Sequence, residues 1–284
     1  MKTTTIILSV LILGLSFNSC NRKGCTDVLA SNYNEKSKKD DGTCTYQPST
    51  IKLKFSHNFN GNDITVTEFN GLNYVNANGE TLSFTKLQYN ISDIRFYLPN
   101  GDSIYVDGSY HLIDLEDANS LFYTLPNWAE FIEGKDFKSI FTGVGFNFGF
   151  DATDNVSGVY SDLNLLSWGW PDGIGGGYHQ LKMEGRYINT VGDTISYQFH
   201  NGSATKNSAG TFESNYRFIK LTDSAFDLSA PTTIEIKMNM ANWFQNPNLW
   251  NLNVDFETLM PNYNAQKRIT QNAGDVFSVG KISQ

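Results

Sequence analysis

The sequence contains few of the residues that build common catalytic and nucleic-acid sites. Its 284 residues include three cysteines, four histidines and no long run of lysine or arginine. Acidic residues outnumber basic ones by 29 to 21, which gives a net charge of −8 at pH 7. A chain without a basic stripe neutralises few phosphates, and we therefore expect no nucleic-acid partner.

The short motifs of common hydrolases and phosphate-binding enzymes are also missing. The chain has no Gly-x-Ser-x-Gly, no His-Glu-x-x-His and no cysteine that is free to act as a nucleophile. The glycine-rich stretch at 173–177 lacks the Lys-Ser/Thr of a phosphate loop, and strand-like sequence flanks it. We interpret this stretch as a flexible loop and predict a protein without catalytic activity of its own.

No apolar run approaches the ~20 residues that a membrane-spanning helix needs. Residues 1–20 run from one lysine through a short apolar core to small residues and Cys20, as signal peptides do. The sequence Phe-Asn-Ser-Cys at 17–20 is similar to a relaxed lipobox, in which the cysteine is lipidated. We predict a lipid anchor at Cys20. An ordinary secretory signal with a coincidental cysteine is the alternative.

The two remaining cysteines, Cys25 and Cys44, flank a short polar segment. In an exported protein two cysteines most simply form one disulfide, here closing a loop of roughly 20 residues worth about 3 kcal/mol. The segment resembles a small Cys-Thr-Asp…Asp-Asp-Gly-Thr-Cys module of secreted Bacteroidetes proteins, and we interpret 21–48 as a spacer. Asp40 and Asp41 offer oxygen ligands for calcium, although an unliganded polar turn is the favoured interpretation.

Alternating apolar and polar residues recur through the rest of the chain, and 14% of all residues are aromatic. This period-2 pattern predicts about eight strands, and hence an all-β sandwich over 51–284 with long loops and few helices. The predicted strands include 51–59, 82–98 with a bulge between Phe84 and Leu87, 103–115, 144–150, 216–221, 232–240 and 275–282. A strand pair is predicted within 167–202, and short helices at 128–133, 241–245 and 265–272.

The four histidines are the obvious candidate metal ligands. His57 falls on the apolar face of its strand, and His179 is in phase with Leu181 and Met183, so both are expected to point into a core. His200 falls on a polar face, and His111 is expected to be a surface or packing residue. Imidazoles from neighbouring strands, ~5 Å apart, can converge, and in oxygen-poor surroundings they suit Cu(I) or zinc. A buried histidine with an ordinary hydrogen bond is the alternative.

An ordered set of motifs resembles the MbnP-like family, exported proteins related to the methanobactin-associated periplasmic protein of methanotrophs. The set is Trp168-Gly-Trp170, Gly177-Tyr178, Lys182-Met-Glu184-Gly185 and Phe199-His200-x-Gly202, together with Phe55-Ser-His57, Tyr89-Asn-Ile-Ser92 and Asn272-Ala-Gly-Asp275-Val-Phe277. The resemblance covers residues 51–284. Ser167, Asn201 and the long glycine-rich loop after Trp170 depart from the family pattern.

The resemblance implies a copper-binding β domain that faces the periplasm, anchored here to the outer membrane. It implies His57, His200, Trp168 and Trp170 as the metal site, with one tryptophan oxidised to kynurenine. It also implies a partner, a di-haem enzyme of the MbnH type. Ligation needs neutral imidazole, so copper affinity is expected to fall as the pH drops through about 6.5.

A surface module that binds glycan or protein is the alternative function. Exposed aromatic side chains would supply its contact area, and Trp243 and Trp250 in the C-terminal part favour this hypothesis.

Overall fold

The computed structural model describes residues 22–28, 30–46, 49–115, 120–125, 140–222, 225–227, 230–256 and 259–284. The predicted signal peptide, Cys20 and the helix predicted at 128–133 lie outside these ranges. Within them, no helix combines the length and the apolar character that crossing a membrane would require.

The chain divides into two compact units, Met1–Gln47 and Pro48–Gln284. In the smaller unit, Cys25 and Cys44 form the predicted disulfide. The carboxylate of Asp40 accepts from the backbone N–H of Gly42, and that of Asp41 accepts from Thr43. These bonds make the segment a hydrogen-bonded polar turn, and calcium binding there stays a prediction.

Strands dominate the larger unit. In the described ranges they are Ser49–Phe59 (β1), Asn62–Asp63 (β2), Tyr74–Val75 (β3), Thr81–Tyr97 (β4), Ser103–Asp114 (β5), Ser120–Leu125 (β6), Ile140–Phe141 (β7), Gly143–Phe148 (β8), His179–Ile188 (β9), Thr194–Gly202 (β10), Ala204–Lys206 (β11), Phe212–Ser214 (β12), Arg217–Leu221 (β13), Phe226–Asp227 (β14), Thr232–Asn239 (β15) and Phe277–Ser283 (β16). The α-helices are Ser161–Leu165 (α1) and Tyr263–Asn272 (α2). Single 3-10 turns lie at Val66–Glu68, Asp172–Ile174, Met240–Phe244 and Ala273–Asp275.

The five-stranded sheet has the order β16-β15-β1-β2, and β6 also pairs with β1. Strands β1 and β15 run parallel, and the other pairs in this sheet are antiparallel. The apolar residues of β1 predicted to share one face, such as Ile51, Leu53 and Phe55, are buried.

The seven-stranded sheet has the order β10-β9-β4-β8-β13, with β3 and β5 also pairing with β4. Strand β4 spans 17 residues and lies at the centre of this sheet. Its register with β9 shifts between Phe84 and Lys86, which confirms the predicted bulge.

The two sheets pack as a sandwich, as the alternating pattern predicted. Rings from both sheets fill the core, where Phe55 of β1 meets Phe146 of β8 at 6.2 Å between centroids and Tyr89 of β4 at 6.4 Å. Helix α2 begins where the Asn262 side chain accepts from Ala265 N, and it confirms the helix predicted at 265–272. The turn predicted at 241–245 is the 3-10 turn Met240–Phe244.

Candidate metal centre

The outer face of the seven-stranded sheet carries a row of polar side chains on β9 and β10. His200 pairs with Lys182, and Gln198 pairs with Glu184. These positions alternate with Phe199 and Met183, which are fully buried. Because successive side chains of a strand point to opposite faces, the polar row lies on the side away from the sandwich core, as predicted for His200.

A β-bulge brings His179 into this row. Asn201 pairs with Leu181, but Gly202 pairs with His179, so Gln180 is an extra residue in β9. The extra residue breaks the alternation, and the His179 ring lies 5.5 Å from the His200 ring, measured between centroids. The prediction that His179 shares the inward face of Leu181 and Met183 is therefore wrong.

Hydrogen bonds fix the tautomer of His179. The carbonyl of Trp168 accepts from the His179 backbone N–H and from ring Nδ1, at 2.9 Å in both cases. A carbonyl only accepts, so Nδ1 carries the proton and Nε2 holds a lone pair. That Nε2 is buried and has no hydrogen-bond partner among the described residues. Burial lowers the pKa of His179 to about 3, so the ring is neutral at pH 7.

The Trp168 and Trp170 rings lie next to this unpaired nitrogen. Trp170 meets the His179 ring edge-on, with centroids 4.9 Å apart, and Trp168 lies 5.7 Å from it. Both tryptophans are almost fully buried, and neither indole N–H has a hydrogen-bond partner within the part of the chain described. Buried aromatic rings therefore form the inner side of the site.

Glycines and a local backbone bridge position the tryptophan pair. Gly169 forms a β-bridge with Tyr178, and Trp170 N donates to Gly177 O at 2.8 Å. A Cβ atom on Gly202 would collide with the indole of Trp170, so the ring lies directly on the backbone of β10. The Trp170 ring thus leaves room only for glycine at position 202. This explains why the motif Phe199-His200-x-Gly202 has a glycine two residues after His200.

Charged side chains surround the open edge of the site. The His200 Nε2 donates to the Glu184 carboxylate at 2.9 Å, which leaves the lone pair of neutral His200 on Nδ1. This hydrogen bond lowers the pKa of Glu184, and Lys86 lies 3.7 Å from the same carboxylate. Lys182 Nζ donates to Ser167 O at 2.8 Å and lies 4.7 Å from the centroid of the Trp168 ring, a cation–π contact.

His57 belongs to a different environment. Its ring lies in the sandwich core, where its Nε2 is 3.1 Å from the hydroxyl of Tyr89. Tyr89 pairs with Leu181 in the sheet, whereas His200 pairs with Lys182, one residue further along β9. His57 and His200 therefore lie on opposite sides of the seven-stranded sheet. The prediction that they share one metal ion therefore needs correction, because the histidine beside His200 is His179.

The remaining candidates are also resolved by burial and contacts. Trp243 and Trp250 are fully buried, so the idea that they form an exposed binding surface is wrong. His111 lies on β5 and is half-buried. Three carboxylates that no sequence motif marks, Asp93, Asp151 and Asp154, have oxygen atoms within 4.8 Å of one another. Tyr105 and Asn147 donate hydrogen bonds to Asp93.

The arrangement at His179 fits a soft metal ion. Imidazoles of two neighbouring strands lie side by side here, with a lone pair at His179 Nε2 and with His200 Nδ1 as the ring nitrogen that Glu184 does not hold. Neutral imidazole nitrogens bind copper and zinc well, and a carboxylate that holds the second nitrogen of a ligand raises its basicity. Glu184 holds His200 in this manner, and the Trp168 carbonyl holds His179.

Fold and site together define a β-sandwich protein with an imidazole–indole cluster on the outer face of one sheet. The chain belongs to the MbnP family, whose sequence profile, described as MbnP, matches residues 48–265. A solved structure, MbnP from Methylosinus trichosporium, has a similar fold with a TM-score of 0.50 at 12% identity, covering 82% of this chain and 99% of that chain. A search of curated proteins found no match to the sequence.

Proposed function

We propose that this chain is a copper-binding protein whose ligands are His179 and His200 on the outer face of the seven-stranded sheet. The observation that carries the proposal is the buried Nε2 of His179, which holds a lone pair and has no partner among the described residues. Leaving a buried polar atom unpaired costs about 1–3 kcal/mol, and a metal ion at this position would satisfy it. Copper in the Cu(I) state suits two neutral nitrogen ligands in apolar surroundings.

Trp168 and Trp170 exclude water from the ligands in this proposal. As the family resemblance implies, one of them is converted to kynurenine and then contributes a third ligand. Either ring is close enough to His179 to do so once modified. The oxidising partner is a di-haem enzyme of the MbnH type, and the chain itself performs no catalysis.

The cellular setting is part of the same proposal. The signal sequence and the cysteine at position 20 support an exported protein that is anchored to the outer membrane by lipid and faces the periplasm. Oxidising surroundings agree with the disulfide between Cys25 and Cys44. The glycan- or protein-binding alternative loses its main support, because Trp243 and Trp250 are buried.

Metal analysis and peptide mass spectrometry on protein purified from its native host test this function together. We expect copper at an amount equal to that of the protein. On the peptide that contains Trp168 and Trp170 we expect the mass increase that accompanies conversion of tryptophan to kynurenine. Copper with unmodified tryptophans would retain the two-histidine site and remove the kynurenine and the partner. Protein without copper that also fails to bind added Cu(I) would overturn the proposal.

A further inference from the structure

A second surface feature lies immediately before the tryptophan pair. Four aliphatic residues between 156 and 166 are exposed to solvent: Val156 by 48%, Val159 by 60%, Leu165 by 87% and Leu166 by 58%. We call these four residues the aliphatic patch. Isolated exposed aliphatic residues are normal, whereas a contiguous exposed apolar surface marks an interaction site, and these four residues lie close together in the chain.

The patch belongs to a well-anchored part of the structure. Leu163 of helix α1 is buried in a cluster with Phe150, Trp168 and Tyr178, so one side of the helix is fixed to the domain. The Asn164 amide donates to Gly158 O, and Tyr178 donates its hydroxyl to Asn164. Leu165 and Leu166 therefore face solvent although the neighbouring residues pack tightly.

The segment that carries the patch is acidic. From 151 to 181 the sequence contains Asp151, Asp154, Asp162 and Asp172, and no lysine or arginine. Hydrogen bonds to Asp162 and Asp172 come from the neutral hydroxyls of Tyr110 and Ser157, which do not cancel their charge. Lys182, which follows this stretch, donates to Ser167 O and is a cation near the patch. Four carboxylates beside an apolar centre are complementary to an apolar surface ringed by lysine or arginine.

We propose that the aliphatic patch and these four aspartates form a docking surface for a basic protein partner with an apolar centre. A second copy of this chain is a poor occupant, because its own patch brings the same negative charge. The surface adjoins the candidate metal centre, since Trp168 N donates to Leu163 O at 2.9 Å. A partner bound here lies beside the tryptophan pair. The proposal goes beyond copper binding and does not need a metal ion.

A synthetic amphipathic helix of leucine and lysine is the probe for this surface. Its binding to the full-length protein is measured by fluorescence anisotropy, and its position is mapped by amide shifts in NMR spectra. We expect shifts centred on residues 151–166. The double variant L165S/L166S should weaken binding by about tenfold, because central apolar residues of an interface dominate its affinity. Raising the salt concentration should weaken it further.

The matched control removes the same number of exposed aliphatic residues elsewhere. Val191 is 78% exposed and Val254 is 71% exposed, and V191S/V254S should leave the affinity unchanged. Equal affinity for both double variants, or amide shifts that map to another surface, would overturn the proposal. So would a wild-type dimer that L165S/L166S dissociates, since the occupant would then be a second copy. The variant H179F should retain peptide binding, which separates this result from a failure of the copper site.

Discussion

The two faces of the seven-stranded sheet each bury a histidine, and the two residues differ in which ring nitrogen has a hydrogen-bond partner. His57 on the core side places Nε2 against the Tyr89 hydroxyl, whereas His179 on the outer side leaves Nε2 without a partner among the described residues. Burial lowers the pKa of both, to about 4 for His57 and about 3 for His179. Burial and a low pKa therefore do not distinguish a ligand from a structural residue. The unpaired Nε2 of His179 is the difference on which the proposed copper site rests.

The side chains that surround the two histidines also differ. Aromatic and aliphatic side chains of both sheets surround His57, and its ring meets Tyr89 at 5.7 Å between centroids. A second imidazole, two indoles and a lysine–glutamate pair surround His179 and His200. A histidine that completes a core has its hydrogen bond supplied by the core. The neighbours of His179 supply a partner for Nδ1, the Trp168 carbonyl, but no described residue supplies one for Nε2.

The largest expected effect comes from a substitution that displaces the Trp170 indole. Gly202→Val places a side chain where the indole now lies, and overpacking of this kind costs about 1–3 kcal/mol. We expect a lower urea midpoint together with loss of copper binding. Gly173→Ala is the control, since nothing lies within 4 Å of its added methyl group. Normal copper binding by the Gly202 variant would show that the tryptophan position does not matter.

Acid should destabilise the protein through both buried histidines, and His57 is the one that can be tested without changing the proposed copper site. An unfolded histidine titrates near 6.5, while His57 in the folded protein titrates at about 4. Between these values only the unfolded chain binds the proton, so stability present above pH 6.5 is lost as the pH falls, by about 3 kcal/mol. His57→Leu should reduce this loss when urea unfolding is compared at pH 7 and pH 4.5. An identical loss in both proteins would assign the effect to other groups.

A smaller effect should follow from releasing His200. Glu184→Gln retains the size of the side chain but weakens the hydrogen bond that fixes the His200 ring. Loss of such a supporting partner lowers metal affinity by about 10–100-fold. A competition titration with a coloured Cu(I) chelator measures this change. Glu213→Gln, on the surface beside Lys267, is the control and should bind copper normally.

The smallest effect should come from the disulfide. Cys25 and Cys44 belong to the smaller unit, and the proposed copper ligands belong to Pro48–Gln284. Mild reduction should leave copper affinity and the main unfolding transition unchanged within error. A shift in either would mean that the smaller unit supports the sandwich.

Much of the fold could be predicted because the alternation of apolar and polar residues is visible within a single strand. The inward face of β1 and the bulge in β4 can both be predicted, since each depends on the pattern of residues two positions apart. Sixteen strands in the described ranges exceed the predicted eight because short pairs such as β11 with β12 leave no periodic pattern. The exposure predicted for Trp243 and Trp250 is wrong, because neither the short turn Met240–Phe244 nor the segment after it has a periodic pattern that indicates an inward face.

Only part of the site could be predicted, because the rest depends on how the strands pair. His200, Trp168 and Trp170 were identified from their motifs, and the structure brings them together. The role of His179 depends on the bulge at Gln180, which only the pairing of β9 with β10 reveals. Strict alternation through Gln180 predicts that His179 lies on the inward face, which is wrong because of the bulge. A histidine directly after a Gly-Tyr turn, at the very start of a strand, was the one available signal.

Cu(I) affinity of three proteins tests the central claim most directly: wild type, His179→Phe and His57→Leu. Phenylalanine retains the volume and removes the lone pair, so the first variant should lose at least about 100-fold in affinity. His57→Leu should lose stability, because the Tyr89 hydroxyl is left unpaired, but it should bind copper as wild type does. The reverse pattern, with copper lost in His57→Leu and retained in His179→Phe, would contradict the account.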